Sequence, residues 1–389
     1  MDISNAIVVG GGIGGLAVAT VLARQGVAVT ILEQAPRITE VGAGLQISPN
    51  GLAVLRALGL DGALRGRGAV RGQAVVLRDY VAGETVARLD LMRLAKDQQY
   101  YFVHRADLID VLVAAAKRAN VSFELNAQAA TLRPGALPVV QMSDGTTRRA
   151  EVVVAADGIH SMARPVLNGA DIAAFTGQVA WRALVPNASN HPDEAHVTMG
   201  PGRHLVSYPV RGGKLINLVA VEERADWAAE GWNHPDDPEN LRAAYAEFGA
   251  DAKEMLRAVE NVTLWGLHRH PVAATWQRDG VVMLGDAAHP TLPFLAQGAN
   301  MALEDAWLLS DHLARMPRDS ALALYQSARE ARVRRVIAAA ESNAKRYHLH
   351  PGPVRTAAHL GLRLASKLGP GQMIGAFNWL YGHDVTRRR

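Results

Sequence analysis

Gly10-x-Gly12-x-x-Gly15 constrains this chain more than any other feature, because of what lies on either side of it. The apolar run Ala6-Ile-Val-Val9 leads into it, residues 16–25 have helical character, and Gly26 ends that stretch. A second apolar run follows at 27–32 and is closed by Glu33. Glycine at those three positions allows a tight turn, close approach of backbone to a pyrophosphate, and close packing of the next helix. Strand, helix and strand in that order imply parallel strands with a right-handed crossover. Glu33 sits near the ~20-residue offset at which an acidic side chain accepts ribose hydroxyls. An ordinary glycine-rich turn would need no acidic residue there. The expectation is a Rossmann-like unit holding one dinucleotide. The pattern occurs once, so a second nucleotide would bind without a unit of its own.

Two further segments carry chemistry. In Val152-Val-Val-Ala-Ala-Asp157-Gly158-Ile-His-Ser161-Met-Ala-Arg164 a buried strand ends in Asp-Gly, with Ser161 and Arg164 at helical spacing behind it. Alone, Asp-Gly marks only a turn. In the other, Val281-Val-Met-Leu284 reads as a buried strand that delivers Asp286 to its end, within Gly285-Asp286-Ala-Ala-His289-Pro290. Gln297-Gly298 then opens a long helical pattern. A helix start presents unpaired N–H groups and a positive dipole end, which suits a ligand that becomes anionic.

A chain of 389 residues supports two or more core-forming units. The pattern expects helices at 51–60 and 104–120, strands at 121–125, 137–142 and 152–155, and a hairpin turn at Ser143-Asp144-Gly145. Alternation at 71–92 and 179–221 reads as antiparallel sheet, followed by a helix or two in 236–258 and a strand at 262–268. After Asp286 the pattern is largely helical. The division expected is a dinucleotide domain from 1–70, 100–176 and 270–335, a second domain from 71–99 and 177–269, and a helical C-terminal segment at 336–389.

Net charge is only +4, with basic residues scattered apart from Arg387-Arg388-Arg389, so no nucleic-acid partner is expected. The absence of cysteine excludes disulfides, thiolate ligands and a cysteine nucleophile. No secretory signal and no apolar stretch of the roughly 18–20 residues that span a bilayer is evident, so a cytoplasmic protein is expected.

In this order and at this spacing, the three motifs resemble the FAD-dependent class A flavoprotein monooxygenases, the single-component aromatic hydroxylases, over residues 7–335. The resemblance implies an α/β fold: a glutathione-reductase-like FAD domain with an inserted antiparallel substrate domain and a helical C-terminus. It implies FAD as cofactor and NAD(P)H as co-substrate. Gly10, Gly12, Ile13, Gly14 and Gly15 would hold the ADP half, with Glu33, Gln34 and Arg37 as further contacts. Asp157, Gly158 and Arg164 belong to a motif associated with both FAD and the nicotinamide nucleotide. Gly285 and Asp286 would contact the ribityl chain and pyrophosphate, and Pro293, Gly298, Ala299 and Asn300 continue the cofactor path. His104-Arg105-Ala-Asp-Leu108 is a further match, in which Arg105 approaches FAD. Tyr325 with Arg329 and Arg332 is similar to the family's late helix.

A narrower resemblance rests on Gly42-Ala-Gly-Leu-Gln46-Ile-Ser-Pro49-Asn50, His204-Leu-Val-Ser-Tyr208-Pro209 and Ala296-Gln297-Gly298. These are similar to the branch containing 3-hydroxybenzoate 6-hydroxylase, 6-hydroxynicotinate 3-monooxygenase and salicylate hydroxylase. It implies that His204 and Tyr208 line the substrate pocket, that Gln297 lies in the pocket near the flavin, and that Gln46 lies on the cofactor side. The activity implied is hydroxylation of a phenolic aromatic acid with O2 through a C4a-hydroperoxyflavin, by a monomer or homodimer. Hydroxylation of a quinone precursor or other polycyclic aromatic, and a flavin-binding regulatory protein without turnover, are the alternatives.

A physical case for His204 stands beside the resemblance. Residues four apart on a strand face the same side, so His204, Val206 and Tyr208 share a face. A phenol needs partial deprotonation before an electrophilic oxygen attacks its ring, and histidine titrates nearest neutrality. On the residues alone a satisfied core histidine beside a packed tyrosine is the preferred reading, and it is the family resemblance that turns the preference to a functional His204. His289 suits a structural or flavin-contact role better than a base. His268 and His270 have metal-like spacing without a third ligand and read as surface or rim histidines; no metal is expected. Arg182 would pair a carboxylate or a cofactor, and residues 357–380, interrupted by Arg363 and Lys367, would pack on the FAD domain or a second subunit.

Overall fold

The three motif-bearing strands lie side by side. A computed structural model describes residues 2–38, 43–170, 172–225 and 234–387; Gly42, Arg388 and Arg389 of the segments above fall outside them. A six-stranded sheet runs in the order Gln277–Arg278, Val281–Met283, Val152–Ala155, Asn5–Val9, Ala28–Glu33, Ser122–Leu125. Every neighbouring pair is parallel except the first. Val152–Ala155 and Val281–Met283 are buried at every position, as expected of strands covered on both faces. Val9 pairs with Ala155, and Ala155 with Met283, so the turns carrying Gly10, Asp157 and Asp286 leave from adjacent strand ends. In open α/β sheets the ligand crevice lies beyond those carboxyl ends.

Two glycines make this convergence possible. Gly10 has φ +102, and a Cβ on it would come within 2.5 Å of the Ala156 carbonyl oxygen. Gly14, in the helix Ile13–Arg24, lies so close to the third motif that a Cβ would approach Leu284 Cδ1 to 2.6 Å and the Ala302 Cβ to 3.3 Å. The first helix thereby packs directly on the helix Gly298–Arg315. Fully burying each aliphatic side chain along such a contact contributes about 1.5–3 kcal/mol.

An eight-stranded sheet contains the strands Ala74–Asp79 and Thr85–Asp90 together with those of residues 174–269, in the order His234–Asp236, Val262–Arg269, Ala174–Pro186, Leu215–Glu223, Arg203–Val210, Glu194–Gly200, Ala74–Asp79, Thr85–Asp90. The pairing is antiparallel with one exception: Ala74–Asp79 runs parallel to Glu194–Gly200, where alternation led to an expectation of antiparallel strands throughout. These strands are remote in the chain, so no tight turn dictates their relative direction.

The C-terminal helices depart from expectation in one respect. Pro353–Leu368 packs against the 74–90 hairpin of the large sheet, where the FAD domain or a second subunit was expected. Arg355 pairs with Asp79 at 2.6 Å and Arg363 with Glu84 at 2.8 Å, while Ser366 Oγ accepts the Arg88 N–H at 3.0 Å. Arg355, His359 and Arg363 fall on one helix face, and that face meets the hairpin's acidic residues.

Candidate active site

A cavity of about 360 Å³ runs from the first glycine turn to the inner face of the large sheet. Gly12, Ile13 and Gly14 stand at one end, Arg105, Gly158, Gly285 and Asp286 beside them, and His204 and Tyr208 at the other. The helix start at Gln297, Gly298 and Ala299 also lines it.

The glycine end fits FAD. A Cβ on Gly12 would meet no protein atom within 4 Å, so the turn is open toward the cavity where its neighbours are tightly packed. The Glu33 carboxylate is held at the turn by the Gly11 N–H at 2.8 Å and the Ala35 N–H at 2.9 Å, which leaves lone pairs for ribose hydroxyls. Asp157 Oδ2 accepts the Met162 N–H at 2.9 Å, while its buried Oδ1 has no hydrogen-bond partner. Burial pushes the Asp157 carboxyl up despite that bond. Asp286 is surrounded by protein yet open to the cavity; burial pushes its carboxyl up, against the pull of His289 and Arg105. Of the two, Asp157 lies behind the cavity wall and Asp286 lines it, where its carboxyl can accept from a ligand rich in hydroxyls. The helix Gly298–Arg315 has no side-chain cap, so its first N–H groups favour negative charge at the point where it meets the cavity.

The far end is lined by apolar side chains with His204, Tyr208 and Arg182 among them. Val206 pairs with Val219 and Val197 across the sheet, and all three line the wall with His204 and Tyr208. His204 is 1% exposed, and burial, reinforced by His348, pushes its imidazole well below the usual range, so it is neutral. Phe294 and Tyr347 flank its ring at centroid distances of 5.4 and 5.3 Å. Burial pushes the Tyr208 hydroxyl well up against an opposing pull from Arg182, and the hydroxyl therefore stays protonated and able to donate. Gly44 admits the strand Gly44–Ile47 against this wall: a Cβ there would lie 2.6 Å from the Tyr208 ring, and its N–H donates to Asn217 Oδ1 at 2.5 Å.

Several expected residues support the cavity from behind. Gln297 lines it, yet its amide is tied to Ser48 Oγ and to Asn50 Nδ2, both at 3.0 Å. Asn300 bridges the Gln46 and Ala296 carbonyls and accepts the Ser48 N–H at 3.1 Å, holding strand to helix without lining the cavity. Arg164 donates to the carbonyls of Pro271, Ala287 and Ala288 behind the Asp286 turn, and it too lies off the wall. Gln46 lines the wall and accepts the Tyr100 hydroxyl at 2.7 Å, and Pro293 lies nearby. Gln34 and Arg37 are exposed beyond Glu33.

Arg329 and Arg332 pair with Glu304, and Arg329 with Asp305, which also holds His289 Nε2 at 2.7 Å and the Gly285 N–H at 2.9 Å. That network anchors the cavity's helix to the long helix Arg318–Tyr347. Arg182 lines the cavity with its guanidinium 4.0 Å over the Trp265 ring. His268 is satisfied by the Gly266 carbonyl at 3.0 Å, and His270 is buried, where a rim position was expected. Among the described residues no cluster suits a metal ion, and no helix is long and apolar enough to cross a membrane.

The C-terminal segment supplies wall residues that the sequence reading missed: Asn343, Tyr347, Phe377 and Tyr381. Phe377 stacks on Tyr381 at 5.6 Å, and Tyr381 meets Tyr100 edge-on at 5.9 Å. Aromatic residues four apart at 377 and 381 were the available signal.

With this geometry established, the chain belongs to the FAD binding domain family, which matches residues 4–340. It is thus an enzyme of the FAD-dependent monooxygenase kind, with FAD as its cofactor. It is 36% identical to the 3-amino-4-hydroxybenzoate 2-monooxygenase PtnB3 of Streptomyces platensis, over 97% of this chain and 96% of that relative. It is 33% identical to the 3-hydroxybenzoate 6-hydroxylase of Klebsiella oxytoca, over 98% and 97% respectively. The fold matches a salicylate hydroxylase substrate complex with a TM-score of 0.82 at 24% identity, covering 99% of this chain and 96% of that one.

Proposed function

We propose that this chain hydroxylates a phenolic aromatic acid of the hydroxybenzoate, salicylate or hydroxynicotinate type, with NAD(P)H and O2 as co-substrates. The observation that carries the proposal is the meeting, in one cavity, of a neutral buried His204, Tyr208 on the same sheet face, and an uncapped helix start at Gln297-Gly298. When bound, FAD supplies the redox chemistry that activates O2. The glycine turn and Glu33 would hold its nucleotide half, and Arg105 and Asp286 would contact its middle. The N–H groups at Gly298 and Ala299 would stabilise negative charge developing on its ring.

The remaining work falls to the far end of the cavity. Val197, Val206 and Val219 press a flat ring into one plane. His204 takes the proton of the ring hydroxyl, which enriches the ring toward an electrophilic oxygen. Tyr208 and Tyr347 stay protonated, the latter pushed up to about 12 by burial, and donate hydrogen bonds to polar substituents. Phe294, Phe377 and Tyr381 exclude water from the reacting end.

A panel of 3-hydroxybenzoate, 3-amino-4-hydroxybenzoate, salicylate and 6-hydroxynicotinate tests the proposal. At least one should accelerate NAD(P)H oxidation and yield hydroxylated product in step with it. If none does more than raise hydrogen peroxide, the substrate class is wrong. If none affects NAD(P)H oxidation at all, flavin binding without turnover takes its place.

A further inference from the structure

The hydrogen bonds of His204 do not end at His204. Its Nδ1 lies 2.7 Å from His348 Nε2, and His348 Nδ1 lies 2.7 Å from Glu223 Oε1. The chain runs outward: His204 is 1% exposed, the His348 side chain 2%, and the Glu223 side chain 48%. Its members come from three places, the strands Arg203–Val210 and Leu215–Glu223 and the end of the helix Arg318–Tyr347. Gly202 ties them together, donating its N–H to the His348 carbonyl at 3.2 Å and accepting that of Glu223 at 2.9 Å.

Burial holds both imidazoles neutral, and with both neutral one proton arrangement satisfies both bonds. A carboxylate only accepts, so His348 carries its proton on Nδ1 and offers Nε2 as an acceptor. His204 must then donate through Nδ1, which leaves the lone pair of its Nε2 for the cavity. That is the tautomer a base needs.

We propose that His348 and Glu223 are positioning residues that form a proton exit, carrying the proton His204 takes from a bound ring hydroxyl out to solvent. This rests on reading the cavity as a phenol hydroxylation site. The step balances without electron transfer. The phenol O–H breaks as an N–H forms at His204 Nε2, the Nδ1 proton passes to His348 Nε2, and the His348 Nδ1 proton passes to Glu223. The substrate becomes a phenolate, both imidazoles end neutral, and the Glu223 carboxyl gives its proton to water.

The surroundings explain why an exit is needed. Around His204 stand the rings of Phe294 and Tyr347, with the His348 imidazole as its titratable neighbour and, among the described residues, no carboxylate against the ring, so an imidazolium left there would be buried without a counterion. Burial also pushes His348 down; Glu223 opposes this, while Arg203 and His350 add to it. Neither ring is a resting place for positive charge. The half-exposed carboxylate is where the proton can leave.

The test uses the FAD-loaded full chain with 3-hydroxybenzoate as probe, following phenolate formation in the bound probe by ultraviolet absorbance after a pH jump. His348→Gln should slow that step by about 10²-fold with FAD content unchanged. Glu223→Gln should slow it too, Glu223→Asp should restore it, and added imidazole should rescue His348→Ala. Wild-type rates and pH dependence in His348→Gln would overturn the proposal. A second readout is independent of substrate. Imidazole nitrogen NMR of the ligand-free protein should show His204 and His348 both protonated on Nδ1, and His348 protonated on Nε2 would overturn the exit. Failure of the wild type to ionise any phenolic acid, with those tautomers observed, would instead count against the hydroxylase reading.

Discussion

Gly15 rests directly on the carbonyl oxygen of Gly10: a Cβ at residue 15 would lie 2.0 Å from it. The turn that opens the cofactor site is thus closed on itself by backbone. No flexible side chain is available to move aside, so Gly15→Ala should cost about 1–3 kcal/mol of stability or more, read as a drop in Tm of the FAD-free protein. Gly12→Ala should behave differently. Its added methyl meets no protein atom within 4 Å and projects into the cofactor path. The apoprotein should keep its Tm while FAD affinity falls about tenfold or more, a loss of at least ~1.4 kcal/mol by flavin fluorescence titration. Equal losses of Tm in both variants would contradict this division of roles.

Arg329 should be among the costliest residues to truncate. It is 1% exposed, donates to Glu304 and Asp305, and would leave two buried carboxylates short of a partner. Arg329→Ala should lose about 3–5 kcal/mol by chemical denaturation.

The same network sets an acid limit on stability. Burial pushes Glu304 up, but Arg329 and Arg332 prevail and bring it down to about 2 from an ordinary 4.5. A carboxyl depressed on folding stabilises fully above its unfolded pKa and loses that contribution as pH falls toward the folded one. Stability should therefore decline from about pH 4.5 toward pH 2, with a shallower decline in Glu304→Gln. Matching slopes in the two proteins would exclude Glu304 as the source.

The depressed His204 also has a kinetic consequence. Because burial favours its neutral form, the base remains available below pH 6.5, the ordinary histidine value. The acid limb of kcat for hydroxylation should lie well below pH 6.5. A limb centred there would mean that His204 is solvated when substrate is bound.

Much of this was legible because local chemistry and tertiary role coincide. The glycine turn, Glu33, Asp157 and Asp286 stand at strand ends whose apolar runs announce buried parallel strands. His204 and Tyr208 share a face because strand periodicity requires it. Contacts made across long stretches of chain were not legible. Tyr347, Phe377 and Tyr381 reach the cavity only because the C-terminal helices fold back over it. His348 gains meaning only beside His204 and Glu223, more than a hundred residues away in sequence. Arg164 and Asn300 carry motif positions, yet Arg164 donates to backbone carbonyls behind the Asp286 turn and Asn300 binds two backbone carbonyls and the Ser48 N–H.

The proposed hydroxylation depends on ionisation of the aromatic substrate by His204 beside the flavin. It is tested most directly by measuring hydroxylated product formed per NAD(P)H consumed in wild type and His204→Ala, using whichever phenolic acid the wild type turns over. The variant should retain FAD and bind the acid, while product formation falls by about 10²-fold and NAD(P)H oxidation drains into hydrogen peroxide. Product formation within about twofold of wild type would remove His204 from the chemistry, since a general base is worth far more than that.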